Sequence, residues 1–437
     1  MGLGLLGRGV GDVKFLAEQG AALTVTDLKT EKELAPSLKK LRRSQSEVGV
    51  PTEASGLKPI TYHLGEHRLA DFRDRDFILK AAGVSLRSPF IAEAKKNKIP
   101  VLMSTALFAK FAQELGAKII GVTGTRGKST TTQLIYEILK TDHRRIFLGG
   151  NVRGVSTLAL LPKIHAGDWV VLELDSWQLQ GFGDLKISPE IAVFTNFFPD
   201  HLNYYGGDLE KYYADKANIF KYQKPGDWLV KGEEVQILPA DWKLKMPGEH
   251  NRQNAALAKR AAEILGVPAP VIKKVITNFG GVPGRLELVR SPSWRRRGIK
   301  VYNDTTSTTP EALGAALGAL GPTSSASGGL RGAKSIILIL GGADKNLDFA
   351  GVLPLVKKYC RAVILLPGTG TDRFLASQLP SFSAFEAKTL REAVSEAKKL
   401  ARRGDLILFS PGFASFGLFK NEFDRGAQFN RAILKGQ

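Results

Sequence analysis

The chain has 437 residues, a formal net charge of +20, 43% hydrophobic residues and one cysteine. That length allows two to four domains, each with its own core; Cys360 alone excludes an intramolecular disulfide and fits a reducing cytoplasm, and no apolar run reaches the ~18 residues of a membrane span. The charge raises nucleic acid as a partner, yet Lys39-Lys40-Leu41-Arg42-Arg43 and Arg295-Arg296-Arg297 lack interleaved aromatics for base stacking. The reading is therefore no nucleic-acid partner, and a basic surface that attracts anionic substrates.

Strand-like and helix-like patterns alternate throughout, which predicts an α/β protein in three blocks, 1–107, 108–282 and 283–437. The expected domains are a Rossmann-like N-terminal domain, a central P-loop ATPase-type domain with a parallel sheet, and a C-terminal Rossmann-like domain. The first block opens with Gly2-Leu3-Gly4-Leu5-Leu6-Gly7, a helical stretch, and then the short strand Ala22-Leu23-Thr24-Val25-Thr26-Asp27. An acid about twenty residues beyond such glycines matches a dinucleotide-fold fingerprint. The strand that should precede Gly2 is missing, so either the start is placed late or an inner strand has been lost.

The second block carries the segment that says most. Ile119-Ile120-Gly121-Val122 reads as a strand, Gly124-Thr125-Arg126-Gly127-Lys128-Ser129-Thr130 as a turn, and Thr131 to Leu139 as a helix. A strand, a glycine turn, Lys-Ser and a helix N-terminus make a phosphate cradle: backbone N–H groups face the anion, Lys128 adds charge and the Ser129 hydroxyl can hold Mg²⁺. Val122 stands where the usual pattern has its first glycine.

Further along, Glu173 ends the apolar run Trp169 to Leu174. A lone carboxylate there needs compensation, either from a Mg²⁺ shared with Ser129 or from a cap or ion pair. The strand Ile191 to Asn196 empties into Pro199-Asp200-His201, and His201 is the best placed of the six histidines. His63, His67, His143 and His165 read as solvated. Lys216 lies in a helix whose apolar face holds Tyr212, Ile219 and Phe220, and a solvated lysine is the plain expectation. Asn251 and Asn254 share a helix face and could meet a purine edge, with capping by Asn251 as the alternative.

The third block has strands Ser335 to Leu340, Ala362 to Leu366 and Asp405 to Phe409, each running into Gly or Pro, as where strand ends build a site. Cys360 reads as a buried bystander at a helix end. Gly321 to Gly329 is low-complexity and reads as a surface loop.

Taken in order, these segments resemble the Mur ligase family of ATP-dependent amide-forming enzymes. The resemblance rests on Gly124 to Thr130, Gly149-Gly150-Asn151, Glu173 to Gln178, Thr195-Asn196 to His201, Lys216, Gly248 to Asn254, Gly284-Arg285, Asn303-Asp304, Gly341 to Lys345 and Ser410-Pro411 to Arg425-Gly426. Glu173-Leu174-Asp175-Ser176-Trp177-Gln178-Leu179 and Ser410 to Asn421 resemble its glutamate-adding branch.

The resemblance implies specific roles. Gly124, Thr125, Arg126, Gly127, Lys128, Ser129 and Thr130 would hold ATP phosphates, Ser129 and Glu173 one Mg²⁺, and His201 a second. Lys216 would be carbamylated and help bind that second ion, which makes Lys128, Glu173, His201 and Lys216 the catalytic set. Asn254 would contact adenine; Arg285 and Asp304 would reach the nucleotide as the third domain closes. Asp27 and Asn151 would contact the UDP-sugar substrate, UDP-N-acetylmuramoyl-L-alanine; Lys345, Ser415 and Phe416 would hold the glutamate. A cytoplasmic monomer is expected.

Three departures stand out. Thr306 replaces a lysine that helps hold glutamate in relatives, Asp175 replaces a serine, and Arg126 replaces a common asparagine. They keep open a sister ligase adding L-glutamate or another amino acid, or a folylpolyglutamate synthetase. The rival readings from other classes are a nucleic-acid-binding NTPase and a dinucleotide-dependent oxidoreductase.

Overall fold

The computed structural model describes residues 1–5, 7–48, 60–142, 144–152, 154–321, 334–376, 384–415 and 417–435. Phe416, His143 and the low-complexity stretch beyond Gly321 lie outside them. The chain divides into two units, Met1–Ile237 with Asn254–Val275, and Leu238–Gln253 with Ile276–Gln437. Both are α/β, and nearly all strand pairing is parallel.

Among the described residues the first unit holds nine strands: β1 (Leu23–Asp27), β2 (Ile60–Leu64), β3 (Ile78–Lys80), β4 (Val101–Met103), β5 (Lys118–Thr123), β6 (Ile146–Gly150), β7 (Trp169–Glu173), β8 (Ile191–Phe194) and β9 (Trp228–Lys231). The last five form one parallel sheet in the order β6-β7-β5-β8-β9. Its inner strands are apolar on both faces, as a sheet covered by helices on both sides requires; Ile119, Ile120, Val170, Val171, Leu172, Ala192 and Val193 are all fully buried. The chain steps outward from β5 to β6, returns to β7 and then crosses to β8. The carboxyl ends of β5, β7 and β8 therefore flank the point where the winding reverses, the position that collects ligands in open α/β sheets.

Nearer the N-terminus, β1 pairs with β2 and β3 with β4, each parallel. Between the two pairs the Met1 amino group donates to Leu79 O at 2.9 Å, Ala81 N donates to Met1 O at 2.9 Å, and Gly2 N donates to Thr26 O at 2.8 Å. Met1 and Gly2 thus sit as one rung between β1 and β3. A cavity of about 770 Å³ runs along these edges, lined by Leu23 to Thr26, Phe77 to Lys80, and Asn151 and Asp175.

The second unit has one six-stranded sheet built from β10 (Glu287–Leu288), β11 (Lys300–Asn303), β12 (Ile336–Leu340), β13 (Cys360–Leu365), β14 (Ala384–Glu386) and β15 (Leu406–Phe409). The order is β10-β11-β15-β12-β13-β14, with β10 antiparallel at the edge. Alternate residues of β12 divide between its two faces: Ile336, Leu338 and Leu340 join one apolar cluster, Ile337 and Ile339 the other. Cys360 opens β13 directly after the helix Leu353–Tyr359 and is buried, with its thiol pKa pushed up by that burial.

Candidate functional site

The turn after β5 is built by its neighbours. Gly124 (φ 140°) and Gly127 (φ 84°) lie in backbone regions that suit only glycine. A Cβ on Gly124 would collide with Thr195 Oγ1, and one on Gly127 with Asn254 Oδ1. Residues after β8 hold the turn in place: Thr125 N donates to Asn196 O at 2.9 Å, Arg126 N to Asn196 Oδ1 at 2.8 Å, and Thr195 Oγ1 to Arg126 O at 2.5 Å. The helix Lys128–Thr141 starts at once, so its N-terminus opens directly at the turn.

Two ammonium groups share one carbonyl there. Lys128 Nζ donates to Gly124 O at 3.0 Å and Thr125 O at 3.1 Å, while Lys216 Nζ reaches Gly124 O at 2.8 Å. Lys216 is only 2% exposed, on the helix Leu209–Lys221, with its ammonium 4.9 Å from the Tyr212 ring centre. Burial first, and then the Lys128 charge, bring its pKa down to about 7. The solvated lysine expected from pattern is thus a buried one: the helix turns it inward together with Tyr212 and Ile219.

Glu173 ends β7, 5% exposed, one strand over from β5. Its carbonyl accepts the Asn151 N–H at 2.6 Å, which places Asn151 beside it, and Asn151 also lines the N-terminal cavity. His201 takes a left-handed conformation (φ 53°) and packs 4.9 Å from Trp177, centre to centre. Partial loss of surrounding water lowers its imidazole pKa, against the Asp200 charge. Asp175 caps the helix Ser176–Leu185, accepting Gln178 N at 2.7 Å and donating its own N–H to Gln178 Oε1 at 3.2 Å. Its replacement of serine preserves a cap, since both residue types serve there.

The donor set suits Mg²⁺, which takes hard oxygen ligands and often only one or two protein carboxylates beside substrate phosphates. Ser129 and Glu173 supply a hydroxyl and a carboxylate at the same sheet edge. Among the described residues no three His, Cys, Asp or Glu side chains gather into a metal cage.

In the second unit the loops after β11, β12 and β15 converge. Asp304 is buried, accepting Ser410 Oγ–H at 2.9 Å and Leu286 N–H at 3.0 Å, and burial raises its pKa to about 7. Ala343 and Ala414 bridge the loops that carry Lys345 and Ser415. Lys345 Nζ donates to Thr308 Oγ1 at 3.1 Å. The Thr306 hydroxyl donates to Gly284 O at 3.0 Å. Arg285 is exposed next to this cluster.

Residues 122–243 match the Mur ligase middle domain, and residues 284–413 the Mur ligase glutamate ligase domain. The chain is 34% identical to the UDP-N-acetylmuramoylalanine--D-glutamate ligase of Roseiflexus sp. (strain RS-1), over 99% of this chain and 97% of that one. It belongs to the Mur ligase family. The protein of the same name from Borreliella burgdorferi (strain ZS7) is 32% identical, over 99% of this chain and 96% of its own. Among solved structures, UDP-N-acetylmuramate-alanine ligase from Thermotoga maritima superposes with a TM-score of 0.61 at 18% identity, covering 100% of this chain and 98% of that one, a likeness of fold.

Set against the family's pattern, the structure brings Gly124 to Thr130, Glu173, Lys216, Asn254 and Asn151 to one end of the middle sheet. Asn254 rests against Gly127 of the phosphate turn. Asp304, Lys345 and Ser415 collect at one edge of the second unit's sheet. Asp27 is 7% exposed, with Gly4 N and Lys29 N each 2.9 Å from one of its oxygens, so it also ties the glycine turn to β1.

Two histidines read as solvated are engaged instead. His63 Nδ1 lies 2.8 Å from both Asp71 oxygens, and His67 bonds Thr26 Oγ1 between the rings of Phe72 and Phe90. Asp71 and Phe72 follow closely in the chain, but only folding through the short helix Leu69–Phe72 turns them back onto the histidines, and Phe90 comes from further along. Sequence reasoning also missed Lys80, buried at the end of β3 and bonded to Ala81 O, Ala82 O and Val84 O. An ionic residue closing an apolar run is the same signal that singled out Glu173. Arg425 entered the family pattern through Arg425-Gly426, but motif order alone gave it no role.

Proposed function

We propose that the chain is an ADP-forming amide ligase that joins D-glutamate to UDP-N-acetylmuramoyl-L-alanine in peptidoglycan precursor synthesis. Near-full-length similarity to ligases of that name supports the substrate pair. The observation that carries the chemistry is the phosphate turn flanked by Lys128 and the buried Lys216. In this reading residues 1–107 bind the UDP-sugar through Asp27 and Asn151, 108–282 bind ATP, and 283–437 bind glutamate through Lys345, Ser415 and Phe416. The setting in this reading is the cytoplasm.

The substrate carboxylate attacks the γ-phosphorus of ATP, giving an acyl phosphate and ADP. The glutamate amine then attacks the acyl carbon, and the tetrahedral intermediate expels phosphate. Two anions must meet in the first step, so neutralisation and alignment are the main tasks. Lys128 and the amides opening the helix Lys128–Thr141 face the phosphates. Mg²⁺, held by Ser129 and Glu173 and at a second site by His201 and Lys216, would screen the remaining charge when bound.

Lys216 serves there as a carbamate. Its pKa of about 7 leaves much of the side chain as neutral amine near neutrality. That amine adds to CO₂ and releases one proton, so a repelling cation becomes an oxygen ligand. The deciding experiment supplies ATP, Mg²⁺ and UDP-N-acetylmuramoyl-L-alanine with D- or L-glutamate. Phosphate release and product should require D-glutamate. Preference for L-glutamate would make the protein a sister ligase, and turnover without acceptor a plain ATPase.

A further inference from the structure

Arg425 is the largest side chain with no exposure to solvent among the described residues, and it has no role in the chemistry above. It lies on the helix Glu422–Lys435, in the second unit. Its guanidinium makes three contacts: Nε to Thr305 Oγ1 at 3.2 Å, Nη2 to Thr305 O at 2.7 Å, and Nη1 to Phe413 O at 3.0 Å. None of these acceptors is a carboxylate. Burying a cation among neutral oxygens is costly, and a well-packed apolar side chain would stabilise the same helix at least as well. What the guanidinium adds is geometry, since its rigid fork fixes the acceptors relative to one another.

Those acceptors belong to two different loops. Thr305 follows Asp304 directly after β11, and Phe413 stands two residues before Ser415 after β15. The loops meet the same helix at further points. Thr305 Oγ1 donates to Glu422 O at 2.7 Å, and Asn303 Nδ2 donates to Gly426 O at 3.2 Å and Asn430 Oδ1 at 2.8 Å. Gly426 has no room for a side chain, because a Cβ there would meet Thr305 Cγ2 at 2.5 Å. Beyond Phe413, the Ala414–Ala343 bridge leads to Lys345, whose ammonium returns to Thr308 on the first loop. The ring of contacts closes, with Arg425 on its buried side.

We propose that Arg425 is a positioning residue that sets the spacing between the Asp304 loop and the Ser415 loop, and so shapes the amino-acid subsite. The inference rests on the ligase reading for the identity of the ligand but not for its logic. Lysine at this position keeps the charge and loses the fork, so it cannot hold both loops at once. A displacement of either loop by about 1 Å is enough to cost orders of magnitude in a reaction that depends on alignment.

The test compares Arg425→Lys, Thr305→Val and Phe429→Leu with the unmodified protein. Thr305→Val keeps the shape, removes one acceptor of the fork together with the hydroxyl bond to Glu422 O, and leaves the Thr305 carbonyl in place. Phe429→Leu disturbs the same helix where its ring stacks on Phe409, 4.4 Å away, and leaves the fork intact. Arg425→Lys should raise the KM for D-glutamate about tenfold or more, and Thr305→Val several-fold. The KM for the UDP-sugar should stay within about twofold in both. Phe429→Leu should lower the melting temperature and leave the amino-acid KM where it was.

Should Arg425→Lys not fold, the Thr305→Val ratio decides alone. An unchanged amino-acid KM in the folded variants overturns the proposal, as does an equal rise in Phe429→Leu, which would reduce Arg425 to a stabilising residue. If the unmodified protein prefers another amino acid, the ligase assignment fails separately, and the same ratios are read with that acceptor.

Discussion

Lys216 and Asp304 show how burial changes what a side chain can do. Taken from water, the Lys216 ammonium loses its solvation and faces a second cation, so the neutral amine becomes accessible near neutral pH. Lys216→Ala should lower kcat by at least about a hundredfold, an effect the size of losing one alignment and charge-stabilising group. A short carboxylic acid should then restore part of it; full activity in the variant would end the carbamate assignment. In CO₂-depleted buffer, activity should fall, more steeply below about pH 7 where the ammonium dominates, and bicarbonate should restore it.

Asp304 works in the opposite sense. Its folded pKa of about 7 stands above the ordinary value of 3.8. Between those values the folded state holds a proton that the unfolded state has released. Its contribution to stability is therefore full below about pH 4, falls as pH rises, and is gone above about 7. Asp304→Asn should flatten the melting temperature across that window. A slope identical to that of the unmodified protein would show that other groups set it.

At the scale of elements, the phosphate turn depends on conformations that one added methyl group would forbid. Gly127 is left-handed and lies against Asn254. Gly127→Ala should cost about 1–2 kcal/mol from backbone strain alone. The collision with Asn254 should then raise the KM for ATP more than tenfold, while the KM for glutamate, whose proposed site is in the other unit, stays near its original value. Steady-state kinetics with each substrate varied in turn would check this. The cap at Asp175 is a different kind of local rule, because it tolerates exchange. Aspartate presents an acceptor to the Gln178 amide here, and a serine at the same position can do so too. Thr195 and Asn196 go further, using side chains after β8 to hold the turn after β5. That bracing explains why an apolar strand ends in this particular pair of polar residues.

On the scale of the whole molecule, the apolar clusters formed by Leu286 to Phe413 and by Val289 to Ile433 lie within the second unit, and those around Phe108, Leu34 and Ile91 lie within the first. Calorimetry should accordingly need more than one transition. Phe409→Ala removes a ring from the core of the second unit and should destabilise it by about 3–5 kcal/mol. One transition should move down while the other stays; a single shared transition that shifts as one would show that both units unfold together.

The α/β class, the order of the main strands, the phosphate turn and the family were all legible in the sequence, because each depends on neighbours along the chain. Apolar runs such as Ile336 to Leu340 declare a buried strand, and Gly-x-x-Gly-Lys-Ser declares an anion site, through local sterics and backbone hydrogen bonding alone. Tertiary structure decided what depends on residues far apart. It buried Lys216 against a carbonyl from residue 124, packed His67 against Phe90, and set Arg425 between two loops more than a hundred residues apart in the chain. A side chain's charge state and role follow from the solvent and partners around it, and those are settled only when distant segments pack.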